Sequence, residues 1–306
     1  MFTKILVGLF IALILYLLFR PKKIKSGYNA PEVFPEKWRL FLLQQVNFYA
    51  SLDGDDKAVF EADILRFLKR VRITGIKTTV DDEDRLLVAS SAVIPVFAFP
   101  DWEYSTLHEV LLYPDLFTEK YDFSEQERNI SGMVGSGGVM HHVVIFSKPA
   151  LHQGFDNASD KMNVGIHEFV HLFDKQDGDI DGIPTVIMKN QAVLPWLHLI
   201  SENTKEMLSG RSDINIYGAT NKQEFLAVAS EYFFERPKLF KEKHPELYEV
   251  LSEVFQTDLA TIQIGDNTLK RTIGRNDPCP CGSGKKLGKT EIHEKTCPNS
   301  RAGAEL

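Results

Sequence analysis

His167-Glu168-Phe-Val-His171 carries the densest chemistry in the chain. On a helix, residues at this spacing lie one turn apart on the same face, so two imidazoles aim at one cation. Glu168 stands beside the first of them, where a carboxylate reaches a water held by that cation. Val164, Ile166, Phe169, Val170, Leu172 and Phe173 surround these groups, which predicts a largely buried helix and a dry, fixed site of the kind zinc takes. A catalytic zinc uses three protein ligands and keeps one position open, so a third ligand must come from elsewhere. Asn221 to Glu235 is a second apolar helical stretch, with Glu224 and Glu231 two turns apart on one face and Glu235 continuing it. A buried carboxylate needs a partner, and a cation is the obvious one. Spacing alone does not choose between Glu224 and Glu231. Tyr217, just upstream, either donates to a developing oxyanion or packs in the core.

Other polar stretches carry less. Asp174 follows His171 by nearly one turn, where it either steadies a ligand imidazole or ends the helix. Asp177-Gly-Asp179-Ile-Asp181-Gly182 resembles the front half of a calcium loop, but Met188 stands where the bidentate Glu belongs, so we read a tight acidic loop. Gly132-Met-Val-Gly-Ser-Gly-Gly138 lacks the Lys-Ser/Thr of a phosphate loop and reads as a turn. It leads into Val139 to Ser147, a strand that reads equally as a sheet edge, where Val143 to Ser147 would align an extended peptide and the glycines would let backbone approach closely, or, with the turn before it, as a core strand. On such a strand His141 and His142 face opposite ways and cannot share a metal. His108, beside Glu109, reads as half of a surface pair.

The elements that must position these groups are mostly helical. Helical periodicity covers Pro35 to Tyr49, Ala58 to Val71, Asp81 to Phe97 and Leu194 to Leu208, with Asp53-Gly-Asp-Asp as a turn and N-cap signal. Leu107 to Tyr113, closed by Pro114, is a strand. The expected class is α+β, mainly helical with a small sheet.

At 306 residues and ordinary composition, the chain builds one or two domains with a full-sized core. A net charge of -7 argues against general nucleic-acid binding. The three cysteines all fall in the last thirty residues, so no disulfide framework exists and the body suits a reducing compartment. Ile5 to Phe19 is uncharged and apolar, and runs straight into Arg20-Pro-Lys-Lys-Ile-Lys25 without a cleavage site. This predicts a single-pass anchor in the inner (cytoplasmic) membrane, with the remainder facing the cytoplasm. The expected division is an anchor over 1–25, a main domain over 26–266 and a tail over 267–306.

Several stretches together resemble the Mlc titration factor A zinc-dependent peptidases: Trp38-Arg, Glu109 to Pro114, Asn163 to His171, Leu172 to Gly178 with Asp181 to Pro184, and Tyr217 to Phe234. The resemblance covers about Pro31 to Leu259. The family's tyrosine, seven residues before its ligand glutamate, falls on Tyr217 and Glu224. The resemblance therefore implies a gluzincin-like zincin domain with His167, His171 and Glu224 on a catalytic zinc, Glu168 as general base, Tyr217 at the oxyanion, and Glu231 in support. It also implies aminopeptidase-type hydrolysis of a peptide or protein substrate, and binding of a transcriptional regulator as an alternative role. The tail, Arg275-Asn-Asp-Pro-Cys279-Pro-Cys281-Gly-Ser-Gly-Lys-Lys286, resembles the SEC-C motif, a short zinc-binding module. The motif's closing pair does not follow Lys286 directly, and His293 and Cys297 stand displaced from it. Cys279, Cys281, His293 and Cys297 are the expected ligands of a second, structural zinc. From Leu269 to Arg301, eight Lys/Arg against three acids make this tail basic enough to dock on a protein, a ribosome or nucleic acid.

Overall fold

The computed structural model describes residues 27–122, 128–157, 159–189 and 191–261. The expected anchor, and the tail with Cys279, Cys281, His293 and Cys297, lie outside the described residues. Among the described residues, no helix is long and apolar enough to cross a membrane.

Helix α1 (Glu36–Gln45) and the short α2 (Asn47–Ser51) replace the single helix expected over Pro35 to Tyr49. The chain breaks at Val46, whose backbone is extended (φ -110°, ψ 93°). The break lets Val46, Phe48 and Tyr49 all enter the core, and their burial outweighs one more helical turn. Helix α3 (Gly54–Arg70) starts earlier than the apolar periodicity suggests, because the Asp53 side chain accepts from the Asp56 N–H. Asp55 and Asp56 in its first turn and Lys69 and Arg70 in its last complement the helix dipole. Strand β1 (Arg72–Gly75) follows; its four mixed residues carry no alternation long enough to read.

Helix α4 (Asp82–Val93) opens on a capping box between Asp81 and Asp84 and tightens into a 3₁₀ turn over Ile94–Val96. Leu86 through Val93 is buried on every face, so α4 is the central helix of the molecule. Strand β2 (Glu109–Tyr113) lies where its sequence places it. Strand β3 (Gly132–Val134) occupies part of the glycine-rich stretch that read as a turn. Gly138–His142 is a 3₁₀ turn, so the expected long strand is confined to β4 (Val143–Ser147). His141 and His142 therefore do not sit on opposite faces of a strand.

The sheet order is β1-β2-β4-β3, with β1, β2 and β4 parallel and β3 antiparallel to β4. Of the two readings of Val143 to Ser147, the core strand holds and the edge does not. The β-branched run Val143-Val144-Ile145 takes an interior position, flanked on both sides, as such runs prefer. The edge is β3.

The rest of the domain is helical: α5 (Lys148–Asp156), α6 (Val164–Asp174), α7 (Thr185–Lys189), α8 (Val193–Leu208), α9 (Lys222–Glu235), α10 (Pro237–Lys243) and α11 (Pro245–Val254). One large apolar core joins them to the sheet. Helix α6 lies at its centre, with Phe169 against Tyr104 and Phe67, and Phe173 against Trp102 and Phe255. At Gly165 a Cβ would stand 2.0 Å from Ser91 Oγ, so α6 touches α4 at closest approach through a residue without a side chain.

Candidate metal centre

Asn163 starts α6. Its Oδ1 accepts from the Ile166 N–H at 3.0 Å, and its Nδ2 donates to the Gly154 carbonyl at 3.0 Å. With the helix entry fixed in this way, His167, Glu168 and His171 are all buried, and the two histidines face α9. Helix α9 is capped in the same manner by Asn221, whose Oδ1 accepts from the Glu224 N–H at 2.8 Å.

The two helices bring three donors together. His167 Nε2 is 2.9 Å and His171 Nε2 3.6 Å from the same oxygen, Glu224 Oε2. Ligand atoms of the three residues all lie within 4.8 Å of one another. Two ligands bound tetrahedrally at zinc's usual distances stand about 3.3 Å apart, which these separations bracket. Burial works to raise the Glu224 carboxyl, but hydrogen bonds from His167 and His171 and their charge outweigh it and hold it at about 2. Burial works to lower His167, and its bonds to Glu224 and Glu231 instead raise it well above the ordinary imidazole range. The polar ends of the three side chains thus converge on one point.

Glu231 meets His167 from the side away from Glu224. Its Oε1 accepts from His167 Nδ1 at 2.8 Å, and its Oε2 accepts from the Asn163 backbone N–H. The carboxylate thereby fixes the tautomer of His167 with the Nε2 lone pair turned inward, as metal-binding histidines require. Glu235, further along the same face, stays buried and lies outside the triad; burial, with Glu231 and Asp160 nearby, pushes its carboxyl well up. The donor set therefore fits a borderline divalent cation such as zinc.

Glu168 faces β3. Burial raises its carboxyl above the ordinary range, against the pull of His167 and His171, and the Val134 N–H donates to it. A Cβ on Gly132 would stand 2.9 Å from both Cγ and Oε1 of Glu168 and 2.4 Å from Val164 Cγ2. The glycine therefore lets the edge strand lie directly on the acid. Ser131 and Gly135 bond to β4, so the backbone groups of Gly132 and Val134 turn away from it, toward the open side. Gly132, Val134 and Asn163 are the site residues that sequence reasoning missed. Asn163 gave a signal, an Asn before an apolar helical run; the glycine run that includes Gly132 signalled a close backbone approach without naming its neighbour, and Val134 gave none.

Tyr217 lies on a 3₁₀ turn over Ile216–Ala219, held by Asn215 Oδ1 accepting from its N–H at 3.0 Å. Its ring is 6.1 Å from that of His167 and 53% exposed, so it borders the centre rather than filling the core. Burial, then the Glu224 and Glu168 carboxylates, raise its phenol above the ordinary value. Asp174 takes the second of its two expected roles. Its Oδ2 accepts from the Gly182 N–H at 2.7 Å and pins the acidic loop, and burial pushes its carboxyl up to about 6. Gly182 adopts φ +75°, and a Cβ there would stand 2.5 Å from the Lys222 carbonyl, so this loop abuts the first turn of α9.

The chain is similar to an uncharacterized protein of Synechocystis sp., at 29% identity over 72% of this chain and 84% of the relative. It is similar to Mlc titration factor A of an Enterobacter strain, at 27% identity over 76% of this chain and 90% of the relative. The Mlc titration factor A of Salmonella choleraesuis matches at 27% over 77% and 92%. Residues 275–289 match the SEC-C motif. Residues 20–256, which include the whole His167–His171–Glu224 constellation, match the glucose-regulated metallo-peptidase M90 family, and the chain belongs to that family.

Proposed function

We propose that the protein is a membrane-anchored, zinc-dependent peptidase of aminopeptidase type. Its metal ligands would be His167, His171 and Glu224. The single observation that carries this reading is the convergence of those donors beside a buried, unchelated Glu168 under an open strand edge. Zinc, when bound, supplies a Lewis acid that acidifies water and polarises a peptide carbonyl. Glu168 takes the proton from the attacking water as its oxygen bonds to the scissile carbonyl carbon, then passes that proton to the amine as the C–N bond breaks. Its raised pKa suits a group that must both accept and release a proton. Tyr217 donates to the oxyanion that develops on the substrate. The outward N–H and carbonyl of Gly132 and the carbonyl of Val134 pair with an extended peptide, the part assigned from sequence to Val143 to Ser147. Ile5 to Phe19 holds the domain at the inner membrane, and Cys279, Cys281, His293 and Cys297 hold a second zinc in the tail.

The name of the Mlc titration factor A relatives supports a second reading. In it the protein sequesters a transcriptional regulator or another partner at the membrane, and peptide hydrolysis is incidental.

One comparison separates the two: the full chain in detergent beside its Glu168→Gln variant, measured for zinc content and for turnover of chromogenic aminoacyl and blocked peptide substrates. The peptidase reading expects Glu168→Gln to keep its zinc and lose turnover. Free aminoacyl substrates turning over in preference to blocked ones supports the aminopeptidase type. Zinc in both proteins with turnover in neither overturns the peptidase reading, and partner capture by both then favours sequestration.

A further inference from the structure

Asp213 holds four side chains at once. Its Oδ2 accepts from Tyr232 Oη at 2.8 Å, Lys243 Nζ at 3.0 Å and Lys161 Nζ at 3.1 Å, and its Oδ1 accepts from His244 Nε2 at 2.8 Å. Lys161 Nζ also donates to the Asp213 backbone carbonyl at 2.6 Å. These donors come from three places: Lys161 from the entry to α6, Tyr232 from α9, and Lys243 and His244 from the junction of α10 and α11. Burial works to raise the Asp213 carboxyl, but His244, Lys243, Tyr232 and Lys161 outweigh it and hold it well below the ordinary range.

The place of this cluster in the chain gives it a consequence at the metal centre. Lys161 stands two residues before Asn163, the cap of α6, and Asp213 stands four residues before Tyr217. Lys161 adopts φ +63°, a left-handed conformation that a residue with a side chain rarely takes, and its Nζ lies 4.5 Å over the Tyr232 ring. Its contact with Asp213 therefore ties the entry of the helix that bears His167 to the segment that bears Tyr217. That segment needs tying. Ser209 to Asn215 forms neither helix nor strand. Among the described residues no hydrogen bond holds the Tyr217 phenol, so the backbone of its turn decides where it points. Downstream the turn rests on α8 and α9, where a Cβ on Gly218 would stand 3.1 Å from Met207 Cε and 3.2 Å from Val228 Cβ. Upstream, Ile214 is buried, Asn215 caps the turn, and Asp213 supplies the charged anchor.

We propose that Asp213 is a positioning residue for Tyr217: with Lys161 it fixes the turn that carries the phenol against the entry of α6, so that the phenol meets the developing oxyanion. The inference rests on the peptidase reading for what Tyr217 does, but not for where Tyr217 is held. Preorganisation of this kind acts on turnover, because a donor displaced by about 1 Å loses most of its effect on the transition state.

The test is a double-mutant cycle on the zinc-loaded full chain in detergent: parent, Asp213→Asn, Tyr217→Phe and the pair combined. Zinc content and circular dichroism check that each protein keeps its metal and its fold. Asp213→Asn should lower kcat about 10-fold with KM nearly unchanged. In the Tyr217→Phe background the same substitution should change kcat less than about 2-fold, because the group it positions is gone. A second readout does not use activity. In protein labelled with meta-fluorotyrosine, the fluorine resonance of Tyr217, assigned by its absence in Tyr217→Phe, should shift in Asp213→Asn. No loss of kcat in Asp213→Asn, or an equal fold-loss in both backgrounds, overturns the proposal, as does a Tyr217 resonance that does not move. If the parent turns over none of the substrates, the peptidase reading fails and the resonance alone decides on Asp213. If Asp213→Asn does not fold, Lys161→Met, which leaves the acid its other three donors, decides by the same criteria.

Discussion

At the scale of single residues, Glu231 separates holding the metal from using it. Glutamine there offers one acceptor where the carboxylate offers two, yet it faces two donors, His167 Nδ1 and the Asn163 N–H. One of them must then meet an NH2 group. Glu231→Gln should lower zinc affinity ~10–100-fold while leaving the zinc-saturated turnover largely intact, checked by competition with a chromophoric chelator. Gly132→Ala should do the reverse. Its added methyl presses on Val164 and on Glu168 itself, so zinc stays and turnover falls, with an overpacking cost of ~1–3 kcal/mol read from urea unfolding. The sequence displays His167, Glu168 and His171 because one helix supplies all three at fixed spacing. It cannot rank Glu224 against Glu231, because both lie on the same helical face. What divides them is a difference in reach, with Glu224 meeting both imidazoles from inside and Glu231 gripping one from behind.

At the scale of elements, the metal helix is only as well placed as its entry. Asn163 makes three bonds there: a cap to Ile166, a tie to Gly154 and a backbone donation to Glu231. Asn163→Ala keeps the last and loses the others. It should cost about 1 kcal/mol in thermal or urea unfolding, and because α6 carries three site residues, it should also loosen zinc. Asn163→Asp, which keeps the capping oxygen, should recover part of the stability. The long helices were legible because their apolar periodicity and Asp or Asn caps agree. The two short strands were not. β1 has four mixed residues, and β3 lies in a glycine-rich run with little strand propensity. β3 is a strand because β4 pairs with it and because only glycine lets a backbone lie so close to Glu168.

At the scale of the whole molecule, α4 and α5 are locked through one buried carboxylate. Asp84 Oδ1 accepts from His152 Nε2 at 2.8 Å; Oδ2 accepts from Lys148 Nζ at 2.8 Å and from the Asp81 N–H at 2.9 Å. Burial works to raise the Asp84 carboxyl, but these donors outweigh it and hold it at about 2, below the unfolded value of ~3.9. Its contribution is therefore complete above that unfolded value and is lost as the pH falls toward about 2. His152 runs the other way. The hydrogen bond to Asp84 raises it, so its contribution is complete below its unfolded value of ~6.5 and is lost as the pH rises through the raised folded one. The lock is strongest between the two limits. Asp84→Asn removes the charge that both partners need and should destabilise the domain by ~2–3 kcal/mol in that window. It should cost less on either side, where the parent has already lost one half of the lock. Urea unfolding of parent and variant at acid, intermediate and alkaline pH checks this. A stability difference that does not change with pH would mean that Asp84 acts through its capping bond alone, and that the charges of His152 and Lys148 contribute nothing to the junction.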